Sequence, residues 1–153
     1  SPISVGIDEG NTLKEKLNIA VHCIDFMKKL KKTPKIATLS YARPGDYGRS
    51  EEINQSLDDA KKLTQLIEKH TNQKIENSCV LIDQAIKNKC NILIAPNGIV
   101  GNTIFRTLVL LNSWPSFGAI TFGIDDIYID TSRDQSREGY LRSLELAYKL
   151  AKL

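Results

Sequence analysis

Two apolar runs of strand length, "KIATLSY" at 35–41 and "NILIAP" at 91–96, constrain the fold more than any other feature. The first has the length of a strand, the second reads as a fully buried one, and strands alternating with helices predict a mostly parallel sheet covered on both faces. Between and around them lie stretches with helical periodicity. Thr12 and Glu15 form a capping box that opens a helix to about Lys31, with Leu13, Leu17, Ala20, Val21, Ile24, Met27 and Leu30 on one stripe. Ser50, followed by Glu51 and Glu52, opens a second helix to about His70.

The remaining segments fit the same alternation. "ISVGI" at 3–7 reads as a strand, and "NSCVLIDQAIKNK" as a loop or short strand with a helix. "NTIFRTLVLLN" reads as a helix capped by Asn102 or Thr103 and broken by Trp114 and Pro115. "GAITF" and "DIYID" are further strands, and a terminal helix carries Leu141, Leu144, Leu146, Ala147, Leu150 and Ala151. The expectation is α/β class: a three-layer αβα domain spanning 1–153, with a mostly parallel sheet. At 153 residues, 41% hydrophobic, the chain suffices for one sizeable core.

Open parallel sheets bind ligands beyond the carboxyl ends of their strands, where loops lead into helix N-termini. Three loops meet that description. The first offers Ser40, Tyr41, Arg43, Tyr47 and Arg49. The second offers Asn97, Asn102, Thr103 and backbone NH groups made accessible at Gly98 and Gly101. The third offers Thr131, Ser132 and Arg133. Helix starts present unpaired NH donors, and arginine adds a planar fork suited to phosphate or carboxylate, so a small anionic ligand is expected. The architectural alternatives are equally concrete: Asn102 and Thr103 as plain caps, and Arg43 and Arg49 paired with Asp46 or Glu52.

Other chemistries are excluded by what is missing. "GIVGNT" lacks the lysine and spacing of a Walker loop, no GxGxxG follows a strand, and no GxSxG elbow appears. Cys23, Cys79 and Cys90 have no CxxC spacing, and His22 and His70 lie far apart, so neither a metal site nor a disulfide framework is expected. A formal charge of +3, well mixed along the chain, does not suit a nucleic-acid binder. With no membrane-span or signal-peptide pattern, a cytoplasmic protein is expected.

In order and spacing, "LSYARPGDYGRS", "APNGIVGNTIFR" and "IDTSRDQS" resemble the C-terminal half of phosphate acetyl/butyryltransferases. "VGIDEGNTLKEKLNIA", "GDYGR" and "GNTIFRTLVLL" are similar to segments of the MtxX family, a methanogenesis marker carrying a methyltransferase-subunit label. The resemblance implies an isocitrate/isopropylmalate dehydrogenase-like fold of the phosphotransacetylase type, and that the chain is the C-terminal portion of a longer protein. It implies coenzyme A as co-substrate, no covalently bound cofactor and no metal. Ser132 and Arg133 match the acyltransferases' catalytic "SR" pair, and Gly101 and Asn102 their "GN" motif. Asn97 stands where that family carries an aspartate. A homodimer and, through the MtxX label, association with methyltransferase subunits are the implied partners.

Overall fold

The computed structural model describes residues 10–153, so the strand expected over 3–7 lies outside the described residues. The chain forms two compact units, the first ending at Thr103 and the second spanning Ile104–Leu153.

The first unit is built on a three-stranded parallel sheet. Its strands are β1 (Ile36–Leu39), β2 (Glu76–Cys79) and β3 (Ile92–Ile94), in the order β2-β1-β3. Every residue of β1 and β3 is buried. Successive strand residues point to opposite faces, so this unbroken burial means that both faces are covered, as the uninterrupted apolar runs predict. Ile36 pairs with Ile92 and Thr38 with Ile94. On the other side the register slips between Thr38 and Leu39, which pairs with Cys79.

Helices α1 (Leu13–Lys29) and α2 (Glu51–Thr71) lie against each other and against the sheet, α1 on β3 and α2 on β1 and β2. The capping box of α1 is complete: Thr12 Oγ1 accepts the Glu15 amide at 3.2 Å while Glu15 Oε2 accepts the amide of Thr12 at 3.1 Å. Ser50 caps α2 by accepting the Ile53 amide at 3.2 Å. Asn72 ends that helix in the left-handed region, at φ 53°. Asparagine adopts that conformation more readily than other residues bearing a side chain. A buried hydroxyl pair ties α2 to the central strand: Thr38 Oγ1 and Thr64 Oγ1 are 2.7 Å apart, and Thr64 donates to the Ala60 carbonyl at 2.8 Å. Short α3 (Ile82–Lys87) follows β2.

Helix α4 (Gly98–Arg106) runs from the first unit into the second and continues as one π-helical turn over Thr107–Leu111. Its start lies five or six residues before the one expected from the sequence. Asn97, not Asn102 or Thr103, is the cap, because Asn97 Oδ1 accepts the Val100 amide at 2.9 Å. Thr103 lies inside the helix, its hydroxyl returned to the Ile99 carbonyl at 3.0 Å.

In the second unit, the strands expected from "GAITF" and "DIYID" shrink to β4 (Ala119–Ile120) and β5 (Ile129–Asp130), an antiparallel pair separate from the parallel sheet. Helix α5 (Arg137–Leu150) is capped by Ser136, which accepts the Gly139 amide at 3.1 Å. No described helix is long and apolar enough to cross a membrane.

Candidate functional site

The strand order β2-β1-β3 puts β1 between its two partners, and the chain leaves β1 toward β2 by way of α2. Sheets of this kind bind ligands in a crevice beyond the carboxyl ends of their strands. In the first unit it is a cavity of about 260 Å³ into which Tyr41, Pro96 and Asn97 face from the loops. Tyr41 and Asn97, both singled out by sequence, are brought together. Asn97 Nδ2 donates to the Tyr41 hydroxyl at 2.7 Å. Since that hydroxyl accepts from Asn97, its own proton is available elsewhere. Burial raises the Tyr41 pKa, and the nearby Glu52 and Asp59 carboxylates raise it further.

Most other residues of the first two loops bond within the loops or to the elements that flank them. Ser40 is buried, its hydroxyl donating to the Ala42 carbonyl at 2.9 Å and its amide to Cys79 at 3.0 Å. The Arg43 amide donates to Asp46 Oδ2 at 3.0 Å, and Arg49 pairs with Asp46 Oδ1 at 3.1 Å while remaining exposed. The surface pairing considered for Arg49 is therefore the one observed. Tyr47 is exposed and donates to Asp58 at 3.3 Å. Gly98 and Gly101 are buried inside the first turns of α4, and the Gly101 amide is taken by the Asn97 carbonyl at 3.0 Å. That corrects the expectation of an accessible NH at Gly101. Asn102 is half-buried within the helix.

Sequence reasoning missed Lys16. It is 6% exposed and lines the crevice, its ammonium 3.9 Å from Asp59 Oδ2. Burial lowers its pKa, and Asp59 and then Glu15 oppose that shift. The signal was present: Lys16 lies three residues after Leu13 and four before Ala20, in the middle of the α1 stripe. Across from it, Glu52, Gln55, Ser56 and Asp59 recur at helical spacing on α2 and line the same cavity. Ser56 Oγ accepts the Tyr41 amide at 3.0 Å, and Gln55 donates to Asp59 at 2.7 Å.

Ser132 and Arg133 belong to the second unit. They follow β5 and line an open cleft of about 530 Å³ together with Arg106, Asp130, Thr131 and Asp134. Ser132 Oγ accepts the Asp134 amide at 3.3 Å, and the Ser132 carbonyl accepts from Gln135 N at 3.0 Å and the Tyr140 hydroxyl at 3.4 Å. This turn leaves the Arg133 side chain exposed. Arg106, which the sequence reading did not include, reaches the same cleft from α4 and pairs with Asp134 at 3.2 Å. Among the described residues, no cluster of histidine, cysteine, aspartate and glutamate could hold a metal ion.

No family model matches the chain. It is 38% identical over 130 residues to the Methanosarcina mazei protein named "Putative methyltransferase mtx subunit X", covering 84% of this chain and 45% of that protein. An uncharacterized methyltransferase of Methanocaldococcus jannaschii is 32% identical over 139 residues, covering 90% of this chain and 56% of that protein. The chain thus spans about half the length of the curated relatives it matches. Among solved structures, it superposes on a phosphotransacetylase from Streptococcus pyogenes with a TM-score of 0.66 at 22% identity, over 97% of this chain and 48% of that one. A branched-chain phosphotransacylase from Enterococcus faecalis gives a TM-score of 0.64 at 20% identity, over 94% of this chain and 55% of that one. The chain is a homologue of the methanogen proteins named as methyltransferase mtx subunit X, folded as an α/β protein of the phosphotransacetylase type.

Proposed function

We propose that the full-length protein transfers an acyl group between coenzyme A and phosphate, holding the anionic part of its ligand on the loop after β5. The observation that carries this reading is the exposed Arg133 beside Ser132, in a cleft of about 530 Å³ that a second guanidinium, Arg106, also lines. In the reaction the thiol sulfur forms a bond to the acyl carbon, the bond from that carbon to the phosphate oxygen breaks, and the thiol proton leaves with the released phosphate. Negative charge concentrates on the carbonyl oxygen and the departing phosphate as this happens. Positioned arginines stabilise such charge, and fixing the thiol against the carbonyl supplies the rest of the rate. No covalent enzyme intermediate, metal or tightly held cofactor enters this scheme. The protein is proposed to act in the cytoplasm as a homodimer.

Calorimetric titration of the full-length protein with coenzyme A and with acetyl phosphate tests the binding half of the proposal. Saturable binding that weakens at least tenfold in Arg133→Ala is expected. Binding untouched by that change would remove the site from the loop after β5.

A second reading is favoured by a specific residue. Asn97 stands where the resemblance to the acyltransferases implies an acid, and the chain is 38% identical over 130 residues to a protein named as a methyltransferase subunit. In that reading the protein keeps the fold and serves a methyltransferase as an accessory subunit. Co-purification from native cells with methyltransferase or corrinoid-binding subunits would favour it, and isolation without them would count against it.

A further inference from the structure

We infer that the crevice between the ends of β1 and β3 binds a zwitterionic head group, an ammonium and a carboxylate on neighbouring atoms as in a free α-amino acid. Lys16 is the central observation. A lysine that is 6% exposed is normally neutralised by a close carboxylate, yet the nearest carboxylate oxygen among the described residues, on Asp59, stands 3.9 Å away, beyond hydrogen-bond distance. Asp59 is itself partly occupied by Gln55 at 2.7 Å. Among the described residues, Asp59 is the one carboxylate within 4.0 Å of the ammonium, and both line the cavity.

Charge decides the class of ligand. Among the described residues of the lining, one lysine and two carboxylates, Glu52 and Asp59, give a net single negative charge. A phosphate dianion brought here meets both carboxylates, whereas a zwitterion adds no net charge. Its carboxylate lies against Lys16 and its ammonium against Asp59 or Glu52, placing charges of alternating sign at the corners of a quadrilateral. The open distance between Lys16 and Asp59 suits that arrangement, since each then bonds to the ligand rather than to the other. The Tyr41 hydroxyl, which accepts from Asn97, has its own proton left to donate to the ligand carboxylate. At about 260 Å³ the cavity lies just below the usual range for drug-sized ligands and suits a small molecule or the head of a larger one.

All of these residues belong to the first unit, so failure of acyl transfer and failure of this site are separable outcomes. The test is titration of the full-length protein with the twenty α-amino acids, each against its deaminated acid, and with inorganic phosphate. Binding is followed by calorimetry and by the Asn97 side-chain NH₂ resonances. At least one amino acid should bind, its deaminated acid and phosphate should bind at least tenfold more weakly, and Lys16→Met should weaken it tenfold or more. Glu52→Gln, at an exposed position that leaves the core untouched, should weaken it severalfold and guards against misfolding of the lysine variant. The assignment is overturned if no amino acid binds, if phosphate or the deaminated acid binds equally well, or if neither variant changes the affinity.

Discussion

The side chain of Asn97 donates to the Tyr41 hydroxyl at 2.7 Å while its oxygen accepts the Val100 amide at 2.9 Å, so one amide both caps α4 and orients the tyrosine. The two bonds fix which end of the amide faces which partner. An aspartate could keep the cap but could only accept from Tyr41, reversing the proton between them. Asn97→Ala is expected to cost about 1 kcal/mol in urea unfolding through loss of the cap, and Asn97→Asp distinctly less. Equal losses would mean that the cap contributes nothing.

Tyr41 should ionise above the ordinary tyrosine range, first because of burial and then because Glu52 and Asp59 repel the phenolate. The folded state therefore holds this proton more tightly than the unfolded chain. The resulting stability is present below the unfolded pKa and is lost as pH rises through the folded one. Absorbance titration of the wild type against Tyr41→Phe isolates this group. Glu52→Gln should move its midpoint downward, but not back to that of a free tyrosine.

Cys23 is buried, and burial pushes its pKa up to about 12; burial and then the Glu76 carboxylate push Cys90 up to about 11. At pH 8 roughly one Cys23 in ten thousand is then a thiolate, the form that reacts. Both raised values contribute stability that is fully present below about pH 9 and lost as pH rises toward 11 and 12. Alkylation followed by mass spectrometry should find Cys23 unmodified in the folded protein at pH 8 and rapidly modified in denaturant. Fast labelling of Cys23 in the native state would contradict its burial.

Gly118 has φ +82°, and a Cβ there would meet the Asp130 carbonyl and Ile129 Cγ2, each at 2.6 Å. Gly118→Ala is expected to destabilise by about 2 kcal/mol or more, from backbone strain together with overlap that a rigid carbonyl cannot relieve. Because it opens the β4–β5 pair that leads into Ser132 and Arg133, ligand binding at that loop should fall with it. A thermal shift within error of the wild type would contradict the close approach.

The Arg106–Asp134 pair is exposed, with side chains 51% and 62% accessible. Such pairs contribute at most about 1 kcal/mol. Asp134→Asn should change stability by less than that. It should also release Arg106 and tighten binding of an anion such as acetyl phosphate severalfold, as measured by calorimetry.

Much of the scaffold was legible because it depends on local chemistry. Thr12 with Glu15, and Ser50 before two glutamates, mark the starts of α1 and α2 where they occur. The run Ile92–Ile94 is buried as its unbroken apolar pattern requires. The start of α4 was misread because Asn102 and Thr103 have cap chemistry, while Gly98 and Gly101 disfavour helix by up to about 1 kcal/mol each relative to alanine. Tertiary packing overrode that preference by burying both glycines. Lys16 escaped notice for a related reason. A lysine within an apolar stripe usually carries its ammonium out to water, and the placement of α2 against α1 shows this one enclosed. Tyr41, Asn97, Ser132 and Arg133, expected from sequence in the candidate site, line the two cavities, whereas Arg106 needed the fold to bring it beside the loop after β5.

Thioester formation from coenzyme A and acetyl or butyryl phosphate, by the full-length protein and its Arg133→Ala variant side by side, tests the proposed activity most directly. The account predicts turnover by the wild type and a loss of about a hundredfold or more in the folded variant. No turnover with any short acyl phosphate, or undiminished turnover in Arg133→Ala, would contradict it.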